Sequence, residues 1–353
     1  MKLIINMAQI MVPVYLIFCL LSISVASVAY ADSMHRPDMH APIGVMGDHG
    51  HKKGEWMFSY RYMRMEMDGN RSGSRDQTIA EVQQNFLIAP IEMTMEMHMF
   101  GAMYGLGNNL TLMAMLPYID KSMDLINRAD VKFRTRAQGL GDTKLMVMRK
   151  LYSKKSADMS SRLGIGLGLS LPTGDTNKRG TTPLGNIRLP YPMQLGSGTY
   201  DPMIGLTYAS FYPQWSWGMQ FRTTQRLGKN NEGYRLGDEY YATTWAAYKY
   251  SDSLSVAMRV DGKSWNNISG RDRNISQFIR MGDNRIPSVP TAYPNLRGGE
   301  RADVGISVNF IQQHGMFKDH RLAAEFSIPF YQHLDGPQLE VDYMYTLGWQ
   351  ALF

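Results

Sequence analysis

The sequence has little cysteine, no long apolar run beyond its first thirty or so residues, and no concentration of charge. Cys19, its one thiol, lies in that first apolar run, so removal of the run as an export signal would exclude disulfides and thiolate metal sites. After Val28, no apolar run approaches the roughly 20 residues that a spanning helix needs. The net charge is +6, but the basic residues are scattered, with no Lys/Arg-rich helix and no interleaved aromatics. Nucleic-acid binding is therefore not expected. Lipopolysaccharide phosphates or an anionic solute are better-matched counter-charges.

What is present begins with an export signal. Lys2 precedes an apolar run from Ile10 to Val28, and Ala29-Tyr30-Ala31 meets the small-x-small cleavage rule. Residues 1–31 are thus expected to be a signal peptide, with the exported chain starting at Asp32 and carrying no cysteine. Cys19 follows Phe18 rather than a small residue, which argues against lipoprotein processing. At the other end, Leu339, Val341, Tyr343, Tyr345, Leu347, Trp349, Ala351 and Phe353 alternate with small, polar or acidic residues. Side chains of a strand alternate between faces. An amphipathic last strand ending in Phe is how the final strand of an outer-membrane barrel reads, and Phe353 is the expected handle for the barrel-assembly machinery. A membrane protein without apolar helices must be a closed barrel, because lipid offers no partner to unpaired backbone groups.

Period-2 segments bounded by turn residues occur at 55–67, 92–104, 109–119, 139–152, 161–171, 200–211, 215–227, 239–250, 254–264, 301–313, 320–331 and 339–353. They predict an all-β, antiparallel, up-and-down transmembrane barrel of about twelve strands. Short links at 105–108, 153–160, 212–214, 251–253 and 314–319 alternate with long ones at 120–138, 172–199 and 265–300. That alternation is the pattern of periplasmic turns and outer loops in the outer membrane of a Gram-negative bacterium. The link at 332–338 is short where a long one is expected. The domain reading is a signal peptide (1–31), a Met/His/Gly-rich tail or plug (32–54) and a barrel (55–353).

A charge on the lipid face costs about 2–4 kcal/mol near the midplane, so the charged register is assigned to the lumen. The expected lining is basic at Arg61, Lys144, Arg222, Arg226, Arg259, Arg301 and Arg321. Its polar and acidic partners are Glu96, His98, Asp142, Asp261, Asp303, Glu325 and Asp342. With both signs present, the lining either selects solutes or forms a neutralised network that holds the barrel closed.

Three motifs occur in order: Gly139-Leu140-Gly141-Asp142, Leu171-Pro172-Thr173-Gly174-Asp175 and Gly196-Ser197-Gly198-Thr199-Tyr200-Asp201. Their order and placement resemble the outer-membrane family of MetA-pathway phenol-degradation proteins, often called transporters. The resemblance implies passive passage of small, often aromatic or hydrophobic solutes through a porin-like barrel.

Methionine is abundant, at 28 residues. Met93, Met95, Met97 and Met99 form one ladder; Met63, Met65 and Met67 form another. With Glu96 and His98 inward, the first ladder is expected in lipid and the second inside or at the rim, so the two are not expected to form one conduit. Met is also a flexible apolar filler. The segment 32–54 carries Met34, Met39 and Met46 with His35, His40, His49 and His51. Thioether and imidazole suit copper, so a copper-linked outer-membrane protein is the alternative reading. An enzyme is not expected, because no nucleophile motif accompanies His98.

Overall fold

A computed structural model describes residues 36–107 and 109–353. The expected signal peptide, Met34 and His35 lie outside the described residues. Eleven strands close an antiparallel ring. They are β1 (Trp56–Gly73), β2 (Ile88–Gly107), β3 (Leu110–Asn127), β4 (Thr143–Lys155), β5 (Ser160–Leu171) and β6 (Asp201–Phe211). The ring continues with β7 (Trp215–Thr224), β8 (Glu239–Lys249), β9 (Leu254–Trp265), β10 (Gly299–Ile311) and β11 (His320–Leu352). Two shorter strands, Arg75–Gln77 and Lys132–Leu140, pair with β1 and β3 outside the ring. The seam is β11 on β1, extended by Trp56 N–H to the Phe353 carbonyl (2.9 Å) and Phe353 N–H to the Trp56 carbonyl (2.8 Å).

β11 has 33 residues and would be roughly 110 Å long if straight, several times the ~30 Å hydrocarbon layer. It turns back at Asp335-Gly336-Pro337: Arg321–Leu334 pair with β10, and Gln338–Leu352 with β1. Phe326 stacks on Tyr343, and Arg321 donates to Gln350, across the two arms. With both arms counted, the wall is crossed twelve times, as the alternation predicts. The short outer link at 332–338 is this tight hairpin.

Exposed apolar side chains band the outside of the wall: Phe58 and Phe100, Leu206 and Phe221, Met258 and Ile306, Leu322 and Leu347. Short turns lie at one rim with both described ends of the chain, so this rim is periplasmic. β1, β2 and β3 have 18, 20 and 18 residues, well above the roughly 9–11 that a tilted strand needs to span. They therefore continue past the bilayer on the outer side. There, outward-facing positions become polar: Arg64, Glu66 and Thr94 bond one another above the apolar band. One short helix, α1 (Ile79–Asn85), was not expected. Its start is the capping box of Thr78 and Glu81, a signal present in the sequence. Arg75 and the Thr78 groups hold the Glu81 carboxyl down at about 2.

The long outer links fold against one another. Leu189, Tyr191, Met193, Tyr234, Val289 and Ala292 are buried together on Met93 and Met123, which face inward from β2 and β3. The three sequence motifs meet at the rim beneath this cluster. Asp142 accepts from Gly174 N–H (3.0 Å) and Ser197 N–H (2.7 Å). A Cβ on Gly174 would sit 2.7 Å from Gly196 Cα, so the close approach of the two loops requires glycine.

Candidate functional site

The segment before β1 does not hang below the barrel. From Arg36 to Glu55 it folds into the periplasmic half of the lumen, a strap held largely by wall side chains that bond its backbone. Ser216 Oγ donates to the Asp38 carbonyl (2.7 Å), Arg162 to Met39 (2.9 Å) and Arg321 to Ala41 (2.7 Å). Gln220 donates to the Met46 carbonyl (3.0 Å), while His51 N–H donates to Thr111 Oγ1 (2.8 Å). Ile43 presses on Gly348, where a Cβ would lie 2.6 Å from Ile43 Cδ1. Met39, Ala41 and Val45 pack with Phe211 and Trp245.

The strap brings three imidazoles together. Rings of His40 and His49 are 5.0 Å apart at 88°, and those of His49 and His51 are 5.1 Å apart at 73°. All three histidines are buried. Asp48 Oδ1 bonds His49 Nδ1 (2.8 Å), and Asp48 Oδ2 accepts from Ala41 N–H (3.1 Å). One ligand-type atom each from His40, Asp48 and His49 falls within 4.8 Å of the others. His40 Nδ1, His49 Nε2 and both ring nitrogens of His51 have no hydrogen-bond partner. Burial pushes the His51 imidazole down to about 3, and His40 likewise well below its ordinary range, so both are neutral. A small cavity, ≈ 60 Å³, borders Asp48 and His49 on the side of Met146, Met148, Gly166 and Arg222.

Most of the expected lumen charges are inward, and six of them are in ion pairs. Arg259 bonds Asp261, Glu325 and the Tyr241 hydroxyl, each at 2.5 Å, and Gly44 N–H of the strap donates to Glu325 (3.2 Å). Arg226 joins Asp201 and Glu239, and Lys144 lies among Glu239, Arg222 and Lys263. Arg301 pairs with Asp303 (3.0 Å), and Arg61 is buried beside Ile43 and Gly348. Arg222 lies over the Tyr241 ring (4.9 Å).

Four placements differ from expectation. Glu96 and His98 lie on the outer face: Tyr62 donates to Glu96 (2.6 Å), and the Tyr60 hydroxyl bonds His98 (2.7 Å). They stand above the apolar band, where outward charge meets headgroups and water rather than hydrocarbon. Asp342 is exposed at the outer rim, because the register shift near Glu66 and Met67 turns Val341 inward instead. Asp142 ties two loops and lines no passage.

The methionine ladders change face accordingly. Met63, Met65 and Met67 are the direct cross-strand partners of Met97, Met95 and Met93, and opposed residues share a face. Met95 and Met97 pack on the inward loop cluster, and Met99 on a buried group that includes Met57, Met103, Met113, Met115, Met146 and Met148. Both ladders thus line one lumen, and Met46 of the strap packs on the same group. Sequence reasoning missed the anchors Arg162, Gln220, Thr111 and Asn309, the last of which donates to the His40 carbonyl (3.4 Å). Arg162 shares the inward parity of Gly164 and was readable; the others carry no charge to mark them.

The sequence profile of the family described as "Putative MetA-pathway of phenol degradation" matches residues 89–274. No curated protein matches the chain. Among solved structures, the chain is similar to an outer membrane channel from Pseudomonas putida F1, at 14% identity and a TM-score of 0.57. That match covers 88% of this chain and 99% of that one. A FadL homologue from Pseudomonas aeruginosa matches at 9% identity and a TM-score of 0.36, over 84% of this chain and 89% of that one.

Proposed function

The chain belongs to the MetA-pathway phenol-degradation family, and from that premise we propose that it is a gated outer-membrane channel for small solutes. The observation that carries this reading is a closed barrel whose periplasmic half is filled by its own N-terminal strap. A barrel of about 8 strands is filled by wall side chains, while 16–18 strands leave an open channel. A twelve-crossing wall is wide enough to take one extra segment of chain, and removing that segment leaves room for a solute. The strap is the plug, and passage requires that it move.

The outer half supports apolar or aromatic solutes. A pocket of ≈ 80 Å³ lies among Leu87, Leu125, Phe133, Ile187, Leu189 and Val289. A larger cleft among the outer loops, ≈ 870 Å³, is lined by charged groups that include Lys229, Glu232, Arg271 and Arg273. The cleft collects, and the pocket prefers carbon surface. The barrel-assembly machinery is the proposed partner of the last strand.

The test is planar-bilayer conductance of the refolded chain from Asp32 against the same chain lacking residues 32–53. The expected result is rare, brief openings in the first and conductance at least ~10-fold higher in the second. Equal conductance in the two would remove the strap from the gate.

A further inference from the structure

Three buried imidazoles on one strap, each with at least one unbonded ring nitrogen, need an explanation. A buried ring nitrogen left unbonded loses its hydration with no bond in return, and His40, His49 and His51 together hold four such atoms. Nothing in channel closure uses them. The wall holds the strap largely through its backbone.

The geometry around His49 is that of a prepared ligand. Its Nδ1 is engaged by Asp48 Oδ1 at 2.8 Å, and its Nε2 has no hydrogen-bond partner. A carboxylate that fixes a histidine in this way is the usual support behind a metal-bound imidazole. Asp48 is itself fixed, by Ala41 N–H at 3.1 Å. A ring nitrogen of His40 lies within 4.8 Å of one of His49, and the His51 ring meets His49 edge-on at 5.1 Å.

The surroundings favour one kind of ion. Next to Asp48, a Cβ on Gly47 would meet Met148 Sδ at 3.1 Å and Met146 Sδ at 3.7 Å. Thioethers select soft ions. Two cationic groups stand close: Arg162 is 3.9 Å from Asp48, and Arg321 bonds the carbonyl of Ala41. Coulomb repulsion scales with charge, so a monovalent ion meets half the opposition that Zn(II) or Cu(II) would meet.

We propose that His40 and His49, oriented by Asp48 and bordered by Met146 and Met148, form a binding site for monovalent copper inside the barrel. His51 is the reserve ligand on the same strap. The inference goes beyond channel function and stands apart from it, because it is read by metal binding and not by conductance. The neighbouring thioethers of Met57, Met103, Met113 and Met115 continue the same soft lining along the wall.

The test is titration of the refolded chain from Asp32, in detergent, with Cu(I) held by a chromogenic Cu(I) chelator. One equivalent should leave the chelator, and excess Ag(I), not Zn(II), should displace it. The His40→Ala/His49→Ala double variant should release that equivalent, and Asp48→Asn should weaken it by about 10- to 100-fold. Because these variants can also loosen the strap, X-ray absorption at the copper edge of the loaded, unsubstituted chain gives an independent reading. Imidazole nitrogen with at least one sulfur neighbour is expected. No bound equivalent, retention of copper by the double variant, displacement by Zn(II), or a copper environment without sulfur would each overturn the proposal.

Discussion

The two halves of the lumen are closed by different means. In the periplasmic half, wall side chains such as Ser216, Arg162, Arg321 and Gln220 reach the backbone of the strap. In the outer half, loop side chains such as Tyr191, Met193 and Tyr234 bury one another against the wall. Backbone-directed bonds constrain the path of the strap but few of its side chains, which leaves its histidines and methionines available for other chemistry. Side-chain packing leaves no such freedom, because each buried group in the outer cluster is needed to exclude water.

This contrast can be broken most strongly at Arg321, which holds the Ala41 carbonyl, Asn309 and Gln350 at once. Arg321→Met should weaken strap docking by about 3 kcal/mol, read as trypsin cleavage after Lys52 or Lys53 at least ~10-fold faster. The outer loops should keep their protection. A somewhat smaller, opposite result is expected for Met193→Ala, which opens a cavity costing about 2–3 kcal/mol. Hydrogen exchange should quicken across 189–195 while cleavage in the strap stays unchanged. If both variants loosened both halves, the two closures would be one cooperative unit. The smallest effect is expected at the outer face: Glu96→Gln with His98→Ala should change stability within about 0.5 kcal/mol and leave ion selectivity unaltered. A shift in selectivity would return these residues to the passage.

Much of the wall was legible because hydrocarbon enforces it. Alternation at Leu163, Ile165 and Leu167, or at Val304, Ile306 and Val308, has one physical solution when one face meets lipid. The same rule misread Glu96 and His98, since β2 continues beyond the bilayer and its outward face is no longer penalised for charge. That single inversion also sent the ladder from Met93 to Met99 to the wrong side. Strap docking was harder to read. Its segment has no periodicity, and its partners Thr111, Ser216, Gln220 and Asn309 are neutral side chains spread over three strands. His49 and His51 were recognisable as a pair by spacing. That His40 joins them, with Asp48 between, depends on a fold of the strap that only the surrounding wall imposes.

Both ends of the strap lie at the same rim. Arg36 donates to the carbonyl of Tyr212 (2.6 Å) in a periplasmic turn, and Glu55 leads directly into β1 at the seam. The path of the strap therefore enters and leaves the lumen through one opening. Under the proposed gating it would withdraw without parting β1 from β11 and stay leashed through Glu55. Return is then an intramolecular event at an effective concentration on the order of millimolar. A periplasmic protein that grasped the free loop would need to outcompete that leash to hold the barrel open.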